Sequence, residues 1–142
     1  MINKDNISYS NVIPNAEQFI KFREDCGWGR IELAQAKQAL NNSLFFISAF
    51  NDKQLIGFGR VIGDGALNYY IQDLIVDTAY RKQNIGSTIM TLLMSHIKKN
   101  KLPGKCTVGL MAALNKHDFY QTFGFIYRPN NKFGPGMTVD VD

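Results

Sequence analysis

The stretch YRKQNIGSTIM combines residue types that together can bind an anion. Arg81 and Lys82 supply positive charge, Gly86 lets a ligand approach the backbone closely, and the next residue, Ser87, adds a hydroxyl donor. If a helix begins near Asn84, its first N–H groups are unpaired and its positive dipole end lies there too. Phosphate groups bind readily at such a helix start. A solvated surface loop is the alternative, and these residues alone do not separate the two.

An amphipathic helix follows this stretch and fixes its place in the fold. One helical face carries the apolar residues Ile85, Ile89, Leu92, Leu93 and Ile97. The flanking segments, LNYYIQDLIV (67–76) and CTVGLMA (106–112), have the apolar character of strands. Strand, helix and strand in this order make the two strands parallel. Ligands of open α/β sheets lie at the carboxyl ends of such strands, which is where the stretch leaves the first one.

The rest of the sequence predicts a mixed sheet with helices on both faces. The predicted strands are 7–13, 43–50, 55–63, 67–76 and 106–112, followed by the late strands FIYR and MTVDV. Besides the long helix, the predicted helices are one after Pro14 and Asn15, a short one at 31–41 and another at 117–123. Short links make the three central strands an antiparallel meander. We therefore expect one α/β (α+β) domain over residues 1–142, a meander followed by a parallel β-α-β unit.

Composition narrows the class of protein. The chain has 142 residues, of which 45% are hydrophobic and 20% charged, as in a folded globular domain. No apolar run is long enough for a membrane span, and the start, MINKDNISYS, lacks a signal-peptide segment, so we expect a cytoplasmic location. The net charge of +4, without a basic and aromatic stripe, argues against nucleic acid. Cys26, Cys106 and two histidines do not have metal-site spacing, so no metal is expected.

The longer segment DLIVDTAYRKQNIGSTIMTLLMSHI resembles the acyl-CoA-binding motif of the GNAT superfamily, the GCN5-related N-acetyltransferases. In that family a strand ending in Leu-x-Val precedes Arg/Gln-x-x-Gly-x-Gly/Ala at the start of a helix. Here residues 74–76 take the strand positions, and Arg81, Asn84 and Gly86 take the loop positions. Asn84 stands where glycine is usual, and asparagine tolerates left-handed φ better than most residues.

A second segment, HDFYQTFGF, resembles the Phe-Tyr-x-x-x-Gly-Phe element of the same family. The matching residues are Phe119, Tyr120, Gly124 and Phe125. Many members carry asparagine and alanine seven and four residues before the tyrosine, but here Ala113 and Lys116 stand there. Asn115 is the candidate substitute for that asparagine. The two motifs and the elements before them extend the resemblance over essentially the whole chain.

The resemblance implies acetyl-CoA as co-substrate and gives roles to residues around the loop. Backbone N–H groups of residues 81–87 would hold the CoA pyrophosphate, and residues 74–76 would pair with the pantetheine arm. Tyr120 would act as the general acid that protonates the leaving thiolate. The implied cofactor-binding residues are Leu74, Ile75, Val76, Arg81, Lys82, Gln83, Asn84, Ile85, Gly86, Ser87 and Asn115.

Asp73 is the candidate catalytic residue on the acceptor side. It lies inside an apolar strand, where a carboxylate must be paired, hydrated or functional. It would accept the proton of the amine or bind the ammonium, and a structural carboxylate is the alternative. Glu24, Trp28 and Tyr70 are the candidates for the amine site. Glu24 lies near the end of the first predicted helix, the first helices border the acceptor site in this family, and Trp28 can contact a cation through its ring. Each of them also has an ordinary structural interpretation.

The sequence as a whole predicts an N-acetyltransferase that moves an acetyl group from acetyl-CoA to a primary amine of a small molecule by direct attack in a ternary complex. A protein or peptide acetyltransferase that acts on N-termini or lysines is one alternative. A non-catalytic acyl-CoA sensor on the same fold is another. The expected partner is a small-molecule amine, with no nucleic acid and no membrane, and a homodimer is left open.

Overall fold

The computed structural model describes residues 6–142, which form two compact units, one ending at Val108 and the other spanning Gly109–Asp142. The helices are α1 (Ala16–Asp25), α2 (Leu33–Asn41), α3 (Ile85–Asn100) and α4 (His117–Gln121). The strands are β1 (Ile7–Ser10), β2 (Phe45–Asn51), β3 (Gln54–Gly63), β4 (Asn68–Val76) and β5 (Thr107–Leu110). A short 3-10 helix, Thr78–Tyr80, follows β4. The prediction of one domain stays a prediction.

The five strands form one sheet in the order β1-β2-β3-β4-β5. Strands β1 to β4 pair with their neighbours in antiparallel fashion. Short links join β2, β3 and β4, whereas α1 and α2 lie between β1 and β2 in the chain. β5 lies beside β4 and is parallel to it, with the Thr107 N–H donating to the Leu67 carbonyl at 2.9 Å. The predicted mixed sheet, a meander followed by a parallel β-α-β unit, is therefore confirmed.

Helices cover both faces of this sheet. On one face, α3 packs so closely that a Cβ atom at Gly57 would lie 3.0 Å from the Ile85 and Ile89 side chains. A larger residue at that position would require these side chains to shift by a few tenths of an ångström, so glycine suits the close approach of the helix. On the other face, Phe58 packs against Phe19 of α1 with ring centres 5.3 Å apart. The core on this second face consists of Ala16, Phe19, Ile20, Phe22, Ala36, Leu40, Phe46, Leu55, Phe58 and Ile75.

Side-chain caps set where the first two helices begin. The Asn15 side-chain oxygen accepts the Gln18 N–H at 2.7 Å, which satisfies one of the free donors of α1. At the start of α2, the Gln35 side-chain oxygen accepts the Glu32 N–H at 3.2 Å. These hydrogen bonds satisfy backbone donors at the helix starts and so favour helices that begin at these residues.

The predicted late strands are wrong. FIYR (125–128) and MTVDV (137–141) form no strand in the part of the chain that the structure describes. Alternating apolar residues give a segment one face to bury, but a strand also needs a neighbour for its backbone hydrogen bonds. β1 and β5 are also shorter than predicted, ending at Ser10 and Leu110. The alternation was thus an incomplete signal.

Candidate active site

The loop before α3 presents a row of free backbone donors. Asn84 has φ 63° and ψ 17°, the left-handed conformation that the resemblance to a glycine position predicts. Its carbonyl accepts the Thr88 N–H at 3.0 Å, which closes the first helical turn. The N–H groups of residues 82–87 donate to no acceptor within residues 6–142. The helix start near Asn84 is thus confirmed, and its first N–H groups are unpaired within the described residues.

Contacts on the β4 side anchor this loop. The Asp77 N–H donates to the Ile56 carbonyl at 2.8 Å, and its carboxylate accepts the Ala79 N–H at 2.9 Å. Tyr80 is buried, and its hydroxyl accepts a hydrogen bond from the Asn51 side chain at 2.9 Å. The free donors therefore belong to a loop that is held at its start and continues into a packed helix.

Asp73 lies at a bulge in β4. Phe58 pairs with Ile75 and Arg60 pairs with Gln72, so two residues of β4 lie opposite one of β3. Asp73 takes φ 54° at this point and is only 2% exposed. Such a bulge turns a side chain toward a chosen face of the sheet. Here it places the carboxylate on the side of α1.

Two arginines bind the Asp73 carboxylate. The Arg23 guanidinium, from α1, donates to Oδ1, and the Arg60 Nε, from β3, donates to Oδ2 at 2.7 Å. The Gln72 amide nitrogen lies 3.3 Å from Oδ1. The side chains of the two arginines are only 15% and 13% exposed. This carboxylate is therefore paired on both oxygens.

A pocket of about 240 Å³ opens beside these three charges. Its lining residues are Phe19, Arg23, Ile31, Gln35, Ala39, Arg60, Gln72 and Asp73. They come from α1, the segment before α2, α2 itself and the adjoining strands β3 and β4. All of them precede Val108, so the pocket belongs to the first compact unit.

Arg23 is held between two rings at the edge of this pocket. Its guanidinium carbon lies 5.8 Å from the centre of the Phe19 ring and 5.6 Å from the centre of the Trp28 ring. Its Nε is buried and has no hydrogen-bond partner in the described part of the chain. Cation–π contacts of this kind fix the plane of a guanidinium and leave its N–H edge available.

The three residues predicted for the amine site do not line the pocket. Trp28 is 39% exposed and contacts Arg23. The Glu24 carboxylate lies 3.3 Å from a guanidinium nitrogen of Arg30. Tyr70 lies on β4, opposite Ile62 of β3. Their roles in substrate binding stay predictions.

The second compact unit contains Tyr120 and Asn115. Tyr120 is half-buried in α4, and its ring meets the Phe119 and Phe125 rings edge-on at 5.0 and 6.3 Å. Burial raises the pKa of the Tyr120 phenol above its ordinary value of about 10. Asn115 is exposed and has φ 63°. Because its pKa is raised, the Tyr120 phenol is protonated throughout the neutral range.

The sequence analysis missed Arg23 and Arg60. Both carried the signal that singled out Asp73, a charge among apolar residues. Arg60 interrupts LIGFGRVIG, and Arg23 follows Phe19 by four residues, on the apolar face of α1. A buried charge needs a partner of opposite sign. Two positive charges and one negative charge, each among apolar residues, therefore indicate that the three side chains pair with one another.

Comparisons with known proteins place the chain beside acetyltransferases. The family model described as an acetyltransferase (GNAT) domain matches residues 15–138. A crystal structure of a protein from meticillin-resistant Staphylococcus aureus, described as a probable acetyltransferase of unknown function, is 31% identical with a TM-score of 0.85. The match covers 95% of this chain and 99% of that one.

Two curated relatives are more distant in sequence. An uncharacterized N-acetyltransferase ycf52 from Gracilaria tenuistipitata is 27% identical over 90% of this chain and 70% of its own length. The GCN5-related N-acetyltransferase 1, chloroplastic, of Arabidopsis thaliana is 25% identical over 82% of this chain and 58% of its own length.

Among the described residues, no helix is both long and apolar enough to cross a bilayer.

Proposed function

This chain belongs to the GNAT acetyltransferases, and we propose that it transfers the acetyl group of acetyl-CoA to a primary amine of a small molecule within a ternary complex. One observation carries the proposal. The N–H groups of residues 82–87 are free of acceptors among the described residues, at the start of a packed helix. A row of amides at a helix N-terminus binds phosphate oxygens, because the donors and the dipole favour the same negative charge.

Acetyl-CoA supplies an acyl group activated as a thioester. The free amides of residues 82–87 hold its pyrophosphate, and the exposed Arg81 and Lys82 add positive charge. The backbone of residues 74–76 pairs with the pantetheine arm, as the family resemblance implies. A backbone N–H there stabilises the negative charge that develops on the thioester oxygen during attack.

Tyr120 serves as the general acid in this proposal. Burial raises its pKa, so the phenol keeps its proton at neutral pH and can donate it to the departing thiolate. A carboxylic acid of ordinary pKa would already have lost its proton at that pH. The raised pKa therefore supports the role that the motif implies.

Asp73 contributes to the acceptor site by forming ion pairs with Arg23 and Arg60. Both of its oxygens already accept from guanidinium groups. With both oxygens engaged by guanidinium groups, this carboxylate has no unpaired oxygen left to contact the substrate amine. Its contacts thus favour the structural alternative over the predicted role as general base.

The size of the pocket supports a small acceptor. Its volume of about 240 Å³ lies below the common range for ligand sites, about 300–1,000 Å³. A protein N-terminus or lysine remains the alternative acceptor, and a sensor without turnover the alternative function.

Cytoplasmic location, the absence of metal and the homodimer stay predictions, and one relative is described as chloroplastic.

Calorimetry and thiol release test the donor half of this proposal. We expect saturable binding of acetyl-CoA by the wild type, and at least about tenfold weaker binding by Gly86→Trp, because the new ring occupies the phosphate site. Gly134→Trp is the matched control, since nothing lies within 4 Å of a Cβ built there. An absence of acetyl-CoA binding, together with no thiol release from any amine in a broad panel, would reject the proposal.

A further inference from the structure

The pocket beside Asp73 has an uncompensated positive charge. Its charged lining residues are Arg23, Arg60 and Asp73, which sum to +1. The side chains of the two arginines are largely shielded from solvent, so bulk water screens this excess only in part. A pocket with such an excess favours a ligand group that carries one negative charge.

Unused donors accompany this charge. A guanidinium has five N–H donors, and Arg23 uses only its bond to Asp73 among the described residues. Arg60 has fewer unused donors than Arg23. Besides its bond to Asp73, its Nη1 lies 3.4 Å from the Ala39 carbonyl oxygen and 3.3 Å from the Ser43 hydroxyl oxygen, both weak contacts. Asp73 itself has both oxygens occupied. The free donors of the cluster therefore lie chiefly on Arg23.

We propose that this pocket binds a carboxylate of the acyl acceptor, so that the acceptor is a small amine that also carries a carboxyl group. The inference rests on the proposed function and names the substrate class of the same site. A planar carboxylate matches the N–H fork of a guanidinium, and one negative charge balances the excess. A phosphate dianion would instead leave the cluster with a net negative charge.

Binding of the carboxylate places the amine for reaction. The pocket includes Asp73, the residue before the strand end that would carry the acetyl group. The neutral nitrogen attacks the thioester carbon, forming the C–N bond and breaking the C–S bond. The electron pair leaves on sulfur, which takes a proton from the general acid, and the proton that the nitrogen loses returns to that acid through water. Nearby guanidinium charge lowers the pKa of the ammonium, which raises the fraction of neutral amine.

Trp28 gives a binding signal that does not depend on turnover. It is the only tryptophan of the chain, and the Arg23 guanidinium lies 5.6 Å from its ring centre. We titrate the protein with each proteinogenic L-amino acid except tryptophan, and with the matching carboxamides, while following tryptophan fluorescence. We expect at least one acid to bind about tenfold or more tightly than its amide. Equal binding of acids and amides throughout the set would overturn the inference.

Three variants locate the effect. Arg23→Gln removes the free donors and should reduce the acid-to-amide preference to near unity. Gln35→Glu adds a negative charge at the pocket while keeping a side-chain oxygen for the Glu32 N–H, so it should reduce the preference even if Arg23→Gln fails to fold. Arg30→Gln is the control, an exposed arginine outside the pocket. A preference that survives in Gln35→Glu would place the carboxylate elsewhere.

Further outcomes separate this inference from the proposed function. Binding and acetylation of amides or simple amines as well as acids would leave the acetyltransferase proposal intact and reject the carboxylate site. A preference for O-phosphoethanolamine over every amino acid would also reject it, in favour of a phosphate. Selective binding of an acid without acetyl-CoA binding would support the carboxylate site and reject the transferase.

Discussion

Asp73 combines an unusual backbone conformation with a charge that its surroundings require. Its φ of 54° lies in the left-handed region, which aspartate enters at lower cost than most residues other than glycine and asparagine. Glycine would fit the backbone but could not pair with Arg23 and Arg60. At this single position, the bulge and the ion pairs therefore both favour aspartate.

Removal of the Asp73 carboxylate should cost stability rather than only activity. In Asp73→Ala, two largely buried arginines lose their common partner, and breaking such a pair costs about 3–5 kcal/mol. Urea unfolding measures the change in free energy. Asp25→Ala is the control, because Asp25 forms an exposed pair with Lys21 and should change stability far less. Equal effects of the two substitutions would contradict the paired cluster.

Tyr120→Phe should separate chemistry from binding. The phenol donates its proton only as the thiolate leaves, so we expect kcat to fall about 100-fold while acetyl-CoA affinity stays unchanged. Because burial raises the pKa of Tyr120, loss of its proton should lower kcat only above the ordinary value of about pH 10.

A pH profile of kcat together with calorimetry provides the measurement for Tyr120. Tyr127→Phe is the matched control, since Tyr127 lies in the same compact unit and is more exposed. Turnover by Tyr120→Phe that stays close to wild type would remove Tyr120 from the mechanism.

At the scale of elements, the link between β4 and α3 depends on the conformation of Asn84, the residue that precedes the helix. Its left-handed conformation leads the chain into the helix, whose first N–H groups have no acceptor among the described residues. Tyr80 and Asp77 anchor the preceding turn. The donor site is therefore a property of the whole connection rather than of any one side chain.

Substitutions of Asn84 test this connection. Asn84→Gly keeps the left-handed φ without steric cost and should leave acetyl-CoA affinity nearly unchanged. Asn84→Ala should lose about 1 kcal/mol of stability and bind acetyl-CoA more weakly, since alanine disfavours this conformation. Asn42→Ala is the control, because Asn42 has φ −94°. Urea unfolding and calorimetry would contradict the argument if alanine and glycine behaved alike at position 84.

Sequence patterns predicted the elements whose signals are local. The apolar spacing of α3 predicted the helix, and the glycine-like position of Asn84 predicted its start, because both depend on neighbouring residues in the chain. The charge cluster depends instead on a bulge that brings α1, β3 and β4 together. No spacing along the chain encodes that register shift, so the sequence located Asp73 but not its arginine partners.

At the scale of the whole molecule, the net charge of +4 favours anionic ligands in general. CoA carries several phosphate charges, so its association should slow as salt screens the protein. The excess charge of the pocket is a separate feature, because its arginines are shielded. Salt should therefore weaken acetyl-CoA binding more than carboxylate binding at Arg23.

Residues 137–141 carry exposed apolar side chains that we expect two copies of this chain to bury between them. Met137, Val139 and Val141 are 84–88% exposed, which leaves the segment with an uncovered apolar surface among the described residues. Exposed apolar segments of this kind mark sites of association. We expect the homodimer left open by the sequence to bury this face.

Light scattering after size exclusion measures the mass of the wild type and of the double variant Val139→Asp, Val141→Asp. We expect a dimer and a monomer, respectively, because two charges on the buried face would oppose pairing. Leu102→Asp is the control, since this exposed apolar residue lies outside the segment and should leave the dimer intact. A wild type that stays monomeric as its concentration rises would show that the face is not an interface between copies of this chain.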